Sequence, residues 1–150
     1  MMYIIPILII LLDQLTKFWA LNTLKGSEPI VLINEFLQFN FVKNYGAAFG
    51  IMKYQRMFFL VITILIVLGM IYYIKKYNNT KIMNYSLVMI IGGAIGNFID
   101  RLRVGYVIDF IDVNFWGFYD FPVFNIADSF IVIGTILLVV LVLTNKHEVN

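Results

Sequence analysis

Residues 122–144 read PVFNIADSFIVIGTILLVVLVLT, an apolar run broken by a single charge, Asp128. A bilayer core about 30 Å thick is crossed by roughly 20 helical residues, so this stretch reads as a membrane span. Pro122 suits the first turn of such a helix, where its missing N–H costs nothing. Working outward, three more stretches qualify. Residues 2–21 carry Asp13 and Lys17, residues 57–74 carry no charge, and residues 83–102 end on Asp100 and Arg101. No repeat, low-complexity run or linker separates them. Residues 1–150 are therefore expected to form one membrane domain with spans at about 2–21, 57–74, 83–102 and 122–144.

Composition agrees. Hydrophobic residues make up 61% of the chain, against roughly 45–50% in soluble domains, and charged residues 13%, against about 25%. A water-soluble domain of 150 residues could not hide that much apolar surface. A net charge of +2 argues against a nucleic-acid partner. The absence of cysteine excludes disulfides, thiolate metal sites and cysteine nucleophiles. His147 is the only histidine, which argues against a histidine triad and against a multi-histidine metal site. The first span could pass for a signal peptide. It lacks a basic leading region, and Asn22-Thr23-Leu24-Lys25 offers no small-residue cleavage site, so a retained helix is expected.

Two connections are more than turns. In residues 22–56, Leu37-Gln38-Phe39-Asn40-Phe41-Val42-Lys43 partly alternates apolar and polar and predicts a strand. Pro29 to Ile33 is its expected hairpin partner, with Asn34-Glu35 near the turn. Residues 103–121 hold Tyr106, Trp116, Tyr119 and several phenylalanines, the residues that favour a membrane–water boundary. The short link from Lys75 to Ile82 carries Lys75, Lys76 and Lys81 and no acid. Basic density therefore favours a cytoplasmic link and cytoplasmic termini.

With alternating spans, Asp13, Lys17, Asn97, Asp100, Arg101, Asn125 and Asp128 all fall toward one membrane face, together with both large loops. The opposite halves carry little that is polar beyond Asn84 and Ser86. A charge near mid-membrane costs roughly 2.5–3.5 kcal/mol on insertion scales, so the cluster points to a polar site between helices. The plainer reading is mutual neutralisation, Asp13 with Lys17 at i,i+4 and Asp128 with Arg101 across helices. Gly92 and Gly96, with Gly93 and Ala94, form a thin face suited to close helix packing. It would let another backbone, or a substrate helix, approach near Asn97.

Elimination narrows the chemistry. Ser129 has no evident base, and the zinc-protease motif HExxH is absent. Aspartates remain: Asp13, Asp100, Asp109, Asp112, Asp120 and Asp128. Two adjacent carboxylates share a proton, one acting as acid and the other as base for water attack on a peptide carbonyl, with no metal or cofactor. The residues nominate Asp128, alone in an apolar span. Asp13 and Asp100 look committed to Lys17 and Arg101. Asp109 lacks a basic neighbour within five residues and is a candidate partner, which spacing alone does not prove.

Five segments in order carry a resemblance. They are Asp13-Gln14-Leu15-Thr16-Lys17, then Asn44-Tyr45-Gly46-Ala47-Ala48-Phe49, then Gly92 through Asn97 to Asp100-Arg101, then Val107-Ile108-Asp109-Phe110, and last Phe124-Asn125-Ile126-Ala127-Asp128. On a four-span chain of this length they resemble the bacterial lipoprotein signal peptidase (signal peptidase II) family. The resemblance implies an all-α membrane protein of four transmembrane helices, with a small extracytoplasmic β-cradle and an aromatic-rich flap on the same face. It implies an aspartic endopeptidase of the bacterial cytoplasmic membrane that cuts prolipoprotein signal peptides before a diacylglyceryl cysteine, with membrane lipid and globomycin-type inhibitors as further partners. Asp109 and Asp128 would be the catalytic pair. Asn97, Arg101 and Asn125 would support it and hold substrate, Asn44 would reach over the site, and Asp13, Lys17 and Asp100 would stabilise the polar cluster. Cytoplasmic termini, an outward-facing site, no cofactor and a monomer are expected. The rivals are a small transporter or channel subunit, against which the one-sided polarity speaks, and a non-enzymatic scaffold, which would tolerate Asp128→Asn.

Overall fold

The computed structural model describes residues 2–46, 51–77, 79–116 and 118–146. Ala47 to Phe49 and His147 lie outside them. Among the described residues, four helices are long and apolar enough to cross a membrane: α1 (Ile4–Thr23), α2 (Arg56–Lys76), α3 (Lys81–Arg103) and α4 (Ile126–Leu143). At about 1.5 Å per residue, each approaches or exceeds the hydrocarbon thickness. The protein is thus a mostly helical, multi-pass membrane protein.

The fourth helix starts later than its composition suggests. Pro122 lies in extended chain ahead of the helix, because residues 122–124 run beside a strand and Phe124 exchanges backbone hydrogen bonds with Ile111. The helix begins only where a polar cap can satisfy its first N–H groups. Asn125 accepts from the Asp128 backbone N–H, and the Asp128 carboxylate accepts from the Asn125 N–H, a reciprocal capping box.

Helix α3 is the axis of the bundle, and glycines set its distance from its neighbours. A Cβ on Gly92 would meet Pro6 and Ile9 of α1 at 3.0–3.1 Å, and one on Gly96 would lie 2.5 Å from an Asp13 carboxylate oxygen. Gly93 faces the Ala127 carbonyl of α4. The thin face therefore takes the protein's own helices and leaves no room there for a substrate helix. Helix α2 packs on α3 alone with more than marginal contact, and among its buried residues is Leu60.

The loops build a three-stranded antiparallel sheet in the order β1 (Ile30–Ile33), β2 (Leu37–Asn44), β3 (Val107–Val113). The hairpin matches the alternation read in the sequence. The third strand carries no alternation that predicts it, because acids at 109 and 112, three apart, break the two-residue period of a strand. The sheet docks on the end of α1: Ala20 and Leu24 pack with Ile108 and Phe110, and the Trp19 ring meets Phe39 and Phe110 edge-on. The aromatic loop folds onto the hairpin turn, where Phe36 stacks on Trp116. At the other end of the bundle Met83, Leu87 and Leu141 close an apolar cluster with Met70, Tyr73 and Leu138.

Gly96→Ala is expected to lower the thermal midpoint of the detergent-solubilised protein, by a loss of about 1–3 kcal/mol from overpacking against Asp13. Gly69→Ala, where an added Cβ meets nothing within 4 Å, is expected to be neutral or mildly stabilising through helix propensity. Thermal unfolding of the two variants side by side checks the contrast.

Candidate functional site

The polar residues gather where α1, α3 and the start of α4 meet the sheet, in two tiers. Lys17 is the centre of the first. Its Nζ lies 2.9 Å from Asp13 Oδ2, 3.0 Å from Asp100 Oδ2 and 2.7 Å from Asn97 Oδ1, so all three donors are used. Backbone fills part of the remaining acceptor capacity: Ala127 N–H donates to Asp13 Oδ1 at 3.0 Å, and Ile108 N–H to Asp100 Oδ2 at 3.0 Å. Four elements are tied together by this buried tier.

The expected Asp13–Lys17 pair is present. Two other expected pairings differ. Asp100 pairs with Lys17 rather than with Arg101, because successive helical residues point about 100° apart. Asp128 does not ion-pair with Arg101 among the described residues, since Asn97 Nδ2 takes its Oδ1 at 2.7 Å. Arg101 donates instead to the Gly46 carbonyl at 2.8 Å and lies over the Phe59 ring at 4.6 Å.

The second tier holds Asp109 and Asp128 on asparagines. Asn125 Nδ2 donates to Asp109 Oδ1 at 2.7 Å, and Asn44 Nδ2 to Asp109 Oδ2 at 2.9 Å. Sheet register explains the second contact: Asn44 opposes Val107 and Val42 opposes Asp109, so Asn44 and Asp109 are diagonal neighbours on one face. The amides cannot be turned round. Each has its oxygen pinned by a donor: Asn97 Oδ1 by Lys17, Asn44 Oδ1 by the Gly46 N–H, and Asn125 Oδ1 by the Asp128 N–H. Each NH₂ group must therefore face a carboxylate.

Burial pushes the Asp109 carboxyl up to about 7, and the nearby Asp128 charge adds to the rise. The Asn44 and Asn125 donors and the Lys17 charge pull the other way without cancelling it. Asp109, Asp128, Asn44, Asn97 and Arg101 all line a cavity of about 830 Å³, within the range of ligand sites. Asn125 is buried behind it, and Asp13, Lys17 and Asp100 form the tier beneath. Among the described residues no group of three or more His, Cys, Asp or Glu could hold a metal.

Sequence reasoning gave no role to Gln14, although it stands inside the first motif. Its Nε2 reaches Asp13 Oδ2, Asp100 Oδ1 and the Gly96 carbonyl at 3.1–3.2 Å, and its Oε1 accepts from Arg103. A polar side chain beside Asp13 in a lipid-length helix was the available signal. Phe59 and the Gly46 carbonyl carry no such signal, because their roles come from tertiary contact with Arg101.

Removing the buried cation tests the first tier. Lys17→Met leaves two carboxylates without their counter-ion and is expected to cost about 3–5 kcal/mol, read as a large drop in thermal midpoint or failure to accumulate. A midpoint within a degree of wild type would show that the cluster does not hold the helices.

Comparison with known proteins supplies the remaining findings. The family model described as signal peptidase (SPase) II matches residues 5–144. The chain is 46% identical over 142 residues to a lipoprotein signal peptidase of Clostridium tetani (strain Massachusetts / E88), covering 93% of this chain and 90% of that one. To the lipoprotein signal peptidase of Staphylococcus aureus (strain JH9) it is 40% identical over 149 residues, covering 97% and 91%. A solved structure of a bacterial membrane enzyme, obtained by the in meso method at 2.3 Å resolution, superposes with a TM-score of 0.90 at 38% identity, covering 99% of this chain and 93% of that one.

Proposed function

This chain belongs to the signal peptidase II family, and from that premise we propose that it cuts prolipoprotein signal peptides before a diacylglyceryl cysteine with Asp109 and Asp128 as its catalytic pair. One observation supports the pair above the other aspartates. Both carboxylates face the same cavity and are held by neutral amides, whereas Asp13 and Asp100 are ion-paired to Lys17 and do not line it.

In this reading Asp109 carries the proton shared by the pair and Asp128 is the base. Water enters between them. Asp128 takes its proton as the oxygen bonds to the scissile carbonyl carbon, and Asp109 gives its proton to the carbonyl oxygen. Collapse of the tetrahedral diol breaks the C–N bond, and the proton on Asp128 passes to the leaving amine. The diol returns a proton to Asp109, which restores the starting state. The products are a signal peptide ending in a carboxylate and a lipidated cysteine with a free α-amine. Asn97 and Asn125 position the pair, and Asn44 holds Asp109 from the sheet side. Arg101, anchored on Gly46, shapes the cavity wall against which the extended substrate backbone is held. The peptide must be extended there, because helical hydrogen bonds would occupy its carbonyls.

The site lies at the sheet end of the bundle, and Lys75, Lys76 and Lys81 lie at the other end. By the positive-inside rule the lysine end and both termini are cytoplasmic, and the site opens at the outer face of the bacterial cytoplasmic membrane. A lipidated residue can enter there without leaving its leaflet.

Cleavage of a purified diacylglyceryl-modified prolipoprotein tests the assignment. Asp109→Asn and Asp128→Asn are each expected to lose activity by about 10³-fold or more while remaining folded. Cleavage by both variants would move the pair elsewhere, with Asp100 and Asp13 next in line.

The pH profile gives a second test. With Asp109 protonated below about pH 7, kcat/KM is expected to fall as pH rises through that value. Asn44 donates to the charged carboxylate and so lowers its pKa; Asn44→Ala removes that donor and should move the alkaline limb to higher pH. An unmoved limb, or one shifted to lower pH, contradicts the assignment of the proton to Asp109.

A further inference from the structure

The cavity around Asp109 and Asp128 has two walls of opposite character. Val132 and Ile133 of α4, with Phe121, make an apolar wall that runs into the membrane span. The facing wall belongs to β2 and the chain after it, and carries Lys43 and Lys53. Both lysines are exposed, and among the described residues neither has a carboxylate within ion-pair distance. Lys43 Nζ lies 5.4 Å from the centre of the Tyr106 ring. Tyr106 touches Tyr45, which touches Tyr54, the sequence neighbour of Lys53. Asp109 of the sheet lies inside the cavity on Asn44 and Asn125, while Asp112 accepts from Gln38 and Asp120 from Asn114. The outer mouth of the cavity therefore carries positive charge that the surrounding sheet does not answer.

The direction of the substrate decides what meets that charge. On the peptidase reading above, the signal segment and the acyl chains lie along the apolar, membrane-side wall. The chain that follows the cysteine leaves past the lysine wall into water. We infer that Lys43 and Lys53 are specificity-determining residues, which favour substrates bearing acidic side chains within the first few positions after the lipidated cysteine. The inference rests on the peptidase reading and names a substrate class within it. A partly exposed pair at such a mouth is worth about two- to fivefold in rate, and salt screens it.

The test measures kcat/KM of the full-length enzyme in neutral-lipid vesicles on three diacylglyceryl peptides. They differ only in the two residues after the cysteine: Asp-Asp, Ser-Ser or Lys-Lys. Wild type is expected to prefer Asp-Asp over Lys-Lys by about tenfold at low ionic strength, with the ratio falling toward one at high salt. Lys43→Gln with Lys53→Gln should flatten the series. Lys43→Glu with Lys53→Glu should reverse it, an outcome that a misfolded protein cannot produce. Equal rates on the three peptides with wild type overturn the inference, as does an unchanged order in the variants. A salt effect identical for all three peptides also overturns it and assigns the charge to phospholipid headgroups. If wild type cuts none of the peptides, the peptidase reading itself falls, and the inference is overturned with it.

Discussion

The buried ammonium of Lys17 is the constraint on which the rest of the structure depends. At membrane depth an ammonium with an unused donor is costly, because no water is present to take the bond. All three donors must find acceptors, and they find them on α1 and α3 at Asp13, Asp100 and Asn97. That requirement fixes the register of α1 against α3. The two carboxylates then have oxygen capacity left, part of which is filled by the Ala127 N–H at the start of α4 and the Ile108 N–H on β3. Buried ion clusters are weak evidence for stability but good instruments of geometric uniqueness. Here the geometry set is the relative placement of three helices and one strand.

Such a cluster forms only if the helices approach closely, and α3 permits this through glycine. Gly96 brings Asp13 against the helix surface, and Gly93 brings the Ala127 carbonyl there. Gly134 does the same from α4, where a Cβ would meet the Ser86 carbonyl at 2.8 Å. Without a hydrophobic force between helices in lipid, backbone proximity and polar bonds are what associate them. Helix α2 lacks the glycine contact: it packs chiefly on α3, its Gly69 faces open space, Arg56 donates to the Leu102 carbonyl, and the helix reaches the site through the Phe59 ring beneath Arg101.

What the sequence displayed follows from which signals are local. The spans show in hydropathy, and the β1–β2 hairpin in alternation around Asn34-Glu35. The gathering of charges at one end follows from counting spans. Strand β3 was hidden because Asp109 and Asp112 project to opposite faces for separate reasons, one toward Asn125 and the other toward Gln38, which spoils the periodicity. The start of α4 was misplaced because proline suits either extended chain or a first helical turn, and only the capping of Asn125 on Asp128 decides between them. Arg101 was matched to acids by proximity in sequence and by charge, yet its partner is a carbonyl some 55 residues away. A backbone acceptor in a loop has no signature in residue type.

On the proposed reading, the two tiers of carboxylates give one environment two chemistries. Asp13 and Asp100 meet a fixed cation, so their contacts are part of the scaffold. Asp109 and Asp128 meet only amide NH₂ groups and backbone N–H, which hold position in either protonation state. For that to work the amides must be unable to rotate, since a turned carboxamide would place oxygen against oxygen. Each of Asn44, Asn97 and Asn125 is prevented from turning by a donor on its own oxygen, and for Asn97 that donor is Lys17 itself. The cation that fixes the helices thus fixes Asp128 as well, through an intervening group that carries orientation without carrying charge. A direct lysine contact in place of that asparagine would hold the carboxylate as firmly but would put a fixed charge against it, and on the proposed reading the site needs a neutral partner there.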